Sequence, residues 1–189
     1  MEEKEVKFLN IDSSLIEKKL KKIGAKKVFK KLYKRKAFDY PDLRLDKAGA
    51  WIRLRDEGDK ITLTFKQRIG MGSNSGNDKS MEEIEIEVNN FEKTAELLLK
   101  SGFIEKHYVE NQRTRYVFED IEFDIDFYPQ LNPYLEIEAP SWKKIDEAIG
   151  LLNLNPKDKK IFSTNQVYEL NGINLNDYQK VTFGQMIKK

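Results

Sequence analysis

Like charges recur at every second residue, with apolar residues between them, in several short stretches of this sequence. Arg53 and Arg55 flank Leu54; Glu83, Glu85 and Glu87 alternate with Ile84, Ile86 and Val88; Asp124 and Asp126 alternate with Phe123, Ile125 and Phe127. Glu136 and Glu138 alternate with Leu135 and Ile137, Lys66 and Arg68 continue a face begun by Thr62 and Thr64, and near the start Glu3, Glu5 and Lys7 occupy alternate positions. Gathered in one place, the carboxylates of Glu3, Glu5, Glu83, Glu85, Asp126, Glu136 and Glu138 would supply the oxygen ligands that hard divalent cations such as Mg²⁺ or Mn²⁺ take. The lysines and arginines would hold an anion with several oxygens, and phosphate suits the planar guanidinium fork. Acids for a metal beside bases for phosphate make a site for a polyphosphate chain.

Period-two alternation places these residues on strands. Eight segments read as such: EKEVKFLN, KVFKKLYKRKAFDY, AWIRLRDE, KITLTFKQRI, MEEIEIEV, EKHYVENQRTRYVFED, IEFDIDFYP and PYLEIEAP. Three amphipathic helices interrupt them. The first follows Ser14, with Glu17 completing a possible capping box, carries Leu15, Ile16, Leu20 and Ile23 in its stripe and stops at Gly24. The second carries Phe91, Ala95, Leu98 and Leu99 and stops at Gly102; the third starts at Trp142, with Ile145, Ile149 and Leu152. The two halves resemble each other: Gly24 and Gly102 lie 78 positions apart, and at that offset Arg35 falls on Arg113. Either a duplication or chance similarity of two charged strand-helix units gives that pattern.

These elements predict an α+β fold, an eight-stranded antiparallel β-barrel over about residues 1–140 with helices packed outside, and a helical region over about 141–189, in one domain spanning 1–189. Which strand face points inward decides the function. In an ordinary soluble sheet the apolar faces fill the interior and the charges meet water. Two features favour the inverse. Three amphipathic helices need apolar surface to cover, which an apolar interior would already have consumed. The charged faces also keep like signs together, where a surface made only for solubility mixes them.

Charged residues make up 35% of the 189 residues but nearly cancel, to a net charge of +2, which argues against a general nucleic-acid or membrane partner. The absence of cysteine excludes disulfides, thiolate metal sites and cysteine nucleophiles, and the single histidine, His107, excludes multi-histidine metal sites. No segment approaches the ~18 apolar residues of a membrane span, so a cytoplasmic protein, monomeric or homodimeric, is expected. The loop GMGSNSGNDKS lacks the order of a P-loop and precedes a strand; a lid or a plain connection are the readings open to it.

The ordered set of motifs resembles a known family. Glu3-Lys4-Glu5-Val6-Lys7 matches the E-x-E-x-K signature of the CYTH superfamily, or triphosphate tunnel metalloenzymes, which includes class IV adenylyl cyclases, thiamine triphosphatases and inorganic triphosphatases. Phe38 to Asp42, Gly49 with Arg53-Leu54-Arg55, Leu63 to Lys66, Glu83-Ile84-Glu85, Arg113 and Arg115, Asp126, and Glu136-Ile137-Glu138 follow in the family's order. The resemblance implies a tunnel that is acidic on one side and basic on the other. It implies Lys7, Arg53, Arg55, Lys66, Arg113 and Arg115 as triphosphate ligands, and Glu3, Glu5, Asp126, Glu136 and Glu138 as metal ligands or supports. Glu5, Glu138 and Lys7 are then the catalytic candidates, Glu83 and Glu85 fit either role, and Mg²⁺ or Mn²⁺ is the cofactor. The implied activity is metal-dependent hydrolysis of a small triphosphate. Cyclisation of ATP to cyclic AMP and pyrophosphate, or ligand binding without turnover, are the alternatives. The basic segment at Lys34, Arg35 and Lys36 and the C-terminal tail depart from the pattern.

Overall fold

A computed structural model describes residues 4–69 and 80–189. Glu3 and the loop over 70–79 lie outside the described residues. The sheet strands are β1 (Lys4–Phe8), β2 (Lys26–Asp39), β3 (Ala50–Asp56), β4 (Ile61–Ile69), β5 (Ser80–Val88), β6 (Ile104–Phe118), β7 (Ile121–Phe127) and β8 (Tyr134–Ala139). They pair in the order β1-β8-β7-β6-β2-β3-β4-β5, and each of these pairings is antiparallel.

The eight-stranded antiparallel sheet is thus as expected, curled into a half-barrel whose end strands are β1 and β5. No ladder among the described residues joins those two. The C-terminal chain occupies the β1 side of the seam instead. Lys7 N–H donates to the Lys160 carbonyl at 2.8 Å and Lys160 N–H returns a bond at 2.9 Å. From β4, Arg68 reaches Gln166 Oε1 at 3.3 Å.

The helices lie outside. α1 (Ser13–Lys22) buries Ile16 and Leu20, and α4 (Trp142–Leu151) buries Ile145 and Ile149, in one cluster with Val6, Phe123, Ile125, Leu135 and Ile137 from the outward strand faces. α3 (Phe91–Lys100) lays Phe91 and Ala95 on Phe38 and Leu54; the four-residue α2 (Arg44–Lys47) lies between β2 and β3. Apolar strand residues therefore face the helices, and the ionised faces turn inward. Two details differ from the helical stripes: Leu15 and Leu99 are about half exposed, at 48% and 46%. The N-cap of α1 is Asp12, whose carboxylate accepts from Leu15 N–H at 3.1 Å, and Glu17 instead accepts from the Tyr116 hydroxyl at 2.9 Å. Cross-sheet packing claims the residue that the capping box needed.

The polar tail holds α5 (Thr164–Leu170), the expected helical character, and also two short strands, β9 (Tyr178–Val181) and β10 (Met186–Lys188). β9 runs parallel to β6 at Tyr108 and Val109, before the stretch of β6 that pairs with β7 begins at Gln112. Among the described residues no helix is long and apolar enough to cross a membrane.

The Phe38 to Asp42 motif has a structural duty. Asp39 is buried, at 1% exposure, and its carboxylate accepts backbone N–H bonds from Tyr40 (2.7 Å), Leu45 (3.0 Å) and Asp46 (3.0 Å), tying the end of β2 to α2. Replacing Asp39 with alanine strands three donors. We expect a loss of about 2–4 kcal/mol in urea unfolding; a loss below about 0.5 kcal/mol would show that water takes over these donors.

Candidate active site

The strand register arranges the inward side chains in rows. Across β1, β8 and β7, Glu5 lies opposite Glu138, which lies opposite Glu122. One row further in, Lys7 lies opposite Glu136, Glu136 opposite Asp124, and Asp124 opposite Arg115. On the other half, Arg35 faces Arg55 across β2 and β3, while Lys66 faces Glu83 and Thr64 faces Glu85 across β4 and β5. One arm of the sheet is acidic and the other is mainly basic, around a cavity of about 800 Å³. Lys7, Arg53, Arg55, Lys66, Arg113, Arg115, Glu5, Glu83, Glu85, Glu136 and Glu138 all line it.

The acidic arm contains its own cations. Arg113 is 6% exposed, and its guanidinium donates to both oxygens of Asp126, at 2.9 and 2.5 Å, and reaches Asp124 at 2.6 Å and Glu136 at 3.0 Å. Burial opposes its charge, but Asp124, Asp126 and Glu136 outweigh that and hold it well above its ordinary pKa. Arg115 forks onto Asp124 and contacts Glu122. Lys7 sits between Glu5 and Glu136, the latter at 3.0 Å. Burial works against Lys7 too, yet those two carboxylates raise its pKa. Glu136 is held far below the carboxylate range by Lys7 and Arg113 in spite of its burial, while burial and Glu136 push Glu5 up. Asp126 also rises with burial, Arg113 notwithstanding.

The basic arm is short of negative charge. Arg53 Nη2 is 3.6 Å from both Glu83 and Glu85 and donates to Thr64 Oγ1 at 3.4 Å. Glu83 makes its shorter pair with Lys66, at 2.6 Å, and Glu85 accepts from Thr64 at 2.8 Å. Arg55 pairs with Glu57 at 2.5 Å. The Nε atoms of Arg53 and Arg55 and the Nε and Nη2 atoms of Arg35 are buried without a hydrogen-bond partner. Burial, then Arg55 and Arg35, bring Arg53 down to about 9; burial and Arg35 lower Arg55 likewise, and burial and Arg53 lower Lys66. Buried guanidinium N–H groups are costly without acceptors. An anion with several oxygens answers that need.

The acids test the fit of a metal. Glu5, Glu138 and Glu122 stand side by side on three neighbouring strands. Like charges directly opposite repel, and an all-oxygen set of this kind matches a hard divalent cation. Among the described residues no three such side chains converge on one point. Instead Glu5 rests on Lys7 and Glu122 on Arg115, from which a divalent ion would draw them.

Several lumen residues had no assigned role in the sequence. Asp124 and Glu122 share the inward parity of Asp126, which was the available signal. Asn111 Nδ2 donates to Asp126 at 3.0 Å, and Tyr128, which lines the cavity, stacks on Tyr134 and meets Tyr168 edge-on. His107 also lines the cavity, buried and lowered to about 3 by burial and the charges of Lys106 and Lys189, so it is a neutral imidazole there. Thr164, Asn165 and Gln166 of α5 complete the lining, which no sequence motif announced.

Comparisons with known proteins agree with this geometry. The sequence profile described as the CYTH domain matches residues 1–160. A Methanocaldococcus jannaschii protein named "putative adenylate cyclase" is 31% identical over 160 residues, covering 84% of this chain and 83% of the relative. Among solved structures, a Vibrio parahaemolyticus protein described as a "putative adenylate cyclase" superposes with a TM-score of 0.76 at 13% identity, covering 89% of this chain and 98% of that one. A Hippeastrum protein described as a "putative adenylyl cyclase" with a dominant triphosphatase activity gives 0.64 at 18% identity, covering 93% and 99%.

Proposed function

The chain belongs to the CYTH domain family, and from that membership and the charged lumen we propose that it is a divalent-metal-dependent hydrolase of a triphosphate substrate. The observation that carries this reading is the row of buried guanidinium nitrogens on Arg35, Arg53 and Arg55 without acceptors, opposite a wall of carboxylates.

Arg53, Arg55 and Lys66 bind phosphate oxygens and fix the chain along the basic arm. Lys7, Arg113 and Arg115 lie on the acidic arm, where they orient carboxylates and complete the cationic ring around the substrate. Glu5, Glu136 and Glu138, which line the cavity, would hold the metal with Glu3, and Asp126, buried behind them on Arg113, would support that set. Bound Mg²⁺ or Mn²⁺ supplies charge neutralisation at the phosphate oxygens and a water of lowered pKa. Glu138 would orient the attacking water toward the terminal phosphorus, and Lys7, which lies between Glu5 and Glu136, would offer its ammonium to a phosphate oxygen. Phosphoryl transfer asks mainly for such positioning and neutralisation.

The name of the Methanocaldococcus jannaschii relative supports a second reading, in which the 3′-hydroxyl of ATP attacks the α-phosphorus and pyrophosphate leaves. One assay separates the two. Tripolyphosphate, thiamine triphosphate and ATP are incubated with the protein in Mg²⁺, Mn²⁺ or chelator, and orthophosphate and cyclic AMP are both quantified. We expect metal-dependent orthophosphate. Cyclic AMP with stoichiometric pyrophosphate would replace the hydrolase by the cyclase, and anion binding without any turnover would leave a binding module.

A further inference from the structure

The two halves of the sheet are related by an approximate twofold. Exchanging β1–β4 with β5–β8 turns the strand order into its own reverse. The central register obeys the same relation: Arg35 pairs with Val109 and Lys31 with Arg113, and within both exchanged couples, 35 with 113 and 31 with 109, the offset is 78 positions. Gly24 and Gly102, also 78 apart, both hold the left-handed backbone (φ +84° and +93°) that ends the helix before β2 and before β6. Arg35 is therefore the structural counterpart of Arg113.

Their surroundings are opposite in charge. Arg113 lies across from Asp126, and its neighbour Arg115 across from Asp124. In the other half Arg55 takes the place of Asp126 opposite Arg35, and Arg53 takes the place of Asp124 opposite Ala37. Arg113 is thus bound by three carboxylates, whereas Arg35 meets two arginines and keeps its Nε and Nη2 buried without acceptors. Its planar group is held between the rings of Tyr33 and Tyr128, 5.5 Å from each centroid, so the donors are fixed in direction before any ligand arrives.

We infer that Arg35, absent from the residues the motif pattern assigns, is an anion ligand that grips one phosphoryl group jointly with Arg55. This rests on the triphosphate-binding lumen proposed above. The oxygens of that group occupy the positions that Asp124 and Asp126 occupy around Arg113.

Calorimetric titration of tripolyphosphate in chelator, at fixed ionic strength, tests it on the parent, Arg35→Gln and Arg35→Lys proteins, with melting temperatures measured free of anion. Arg35→Gln is expected to weaken tripolyphosphate binding about 10- to 100-fold, as loss of charged hydrogen bonds does. Arg35→Lys should recover part of that, since it keeps the charge and loses the fork. Neither anion-free melting temperature should fall, because Arg35 forms no ion pair with a carboxylate among the described residues, and its distant pull on Glu136 is set against its repulsion of Arg53 and Arg55. Unchanged affinity in Arg35→Gln would overturn the assignment while leaving the lumen reading intact. So would a lowered anion-free melting temperature in both variants with no partial recovery by lysine, which would mark Arg35 as structural. A parent protein that does not bind tripolyphosphate would overturn the lumen reading itself.

Discussion

Replacing Arg53 with glutamine is expected to lower kcat/KM for the triphosphate substrate by about 100- to 1,000-fold, the usual effect of removing one fixed donor to a transition-state oxyanion, without lowering the melting temperature of the anion-free protein. Function and stability separate here because of how the charge is housed. Arg53 is 15% exposed in its side chain, its carboxylate neighbours stand at 3.6 Å, and both of those carboxylates make shorter contacts with Lys66 or Thr64. Burial and the adjacent Arg55 and Arg35 bring it down from its ordinary value to about 9.

The sign follows from linkage. A base whose folded pKa lies below its unfolded one burdens the fold wherever it is charged, and stability rises with pH only from about 9 up to the ordinary guanidinium range. At neutral pH the guanidinium stays protonated and the burden is fully present. An anion removes it. Tripolyphosphate should therefore raise the melting temperature of the parent strongly and that of Arg53→Gln much less, in thermal scans run side by side. A variant that melts several degrees lower without anion, or one that keeps full activity, would show that Glu83 and Glu85 already neutralise Arg53.

The fold was readable because a curled sheet with helices outside imposes two distinct demands on each strand. Ile52 and Leu54 meet the outer helix layer while Arg53 and Arg55 meet the lumen, and the alternation records both. The inward turn of the charges was readable because α1, α3 and α4 each carried an apolar stripe in need of a surface. The pairing of those charges was hidden. Whether Arg113 faces acids and Arg35 faces arginines depends on registers between strands, such as Lys7 opposite Glu136, that lie far apart in the chain. The C-terminal lining was hidden for a different reason. α5 is seven residues long, with Val167 and Tyr168 as its buried residues, and β9 and β10 have four and three residues, too short for either period to repeat.

Glu5→Gln is expected to act in a way opposite to Arg53→Gln on binding while being as damaging to turnover. Glu5 stands in the row with Glu138 and Glu122 and in contact with Lys7. Removing its charge takes one oxygen ligand of full charge from the metal, and changes even in groups that only support a metal ligand cost about 10- to 100-fold; metal-dependent turnover should fall by at least about 100-fold. Binding without metal should not fall with it. The lumen loses a negative charge and Lys7 loses one of its two carboxylates, keeping Glu136 at 3.0 Å, so its ammonium becomes more available to phosphate oxygens. Tripolyphosphate affinity in chelator should be equal to the parent's or higher, whereas Arg53→Gln loses affinity with or without metal. Titrating Mn²⁺ and tripolyphosphate separately into both variants gives the comparison. Parental Mn²⁺ affinity in Glu5→Gln would sink the metal role of this row, since its carboxylates would then serve only to balance Lys7, Arg113 and Arg115. The two substitutions differ in sign because Arg53 belongs to the arm where Arg35 faces Arg55 and bases outnumber acids, whereas Glu5 belongs to the arm where carboxylates stand side by side and share Lys7.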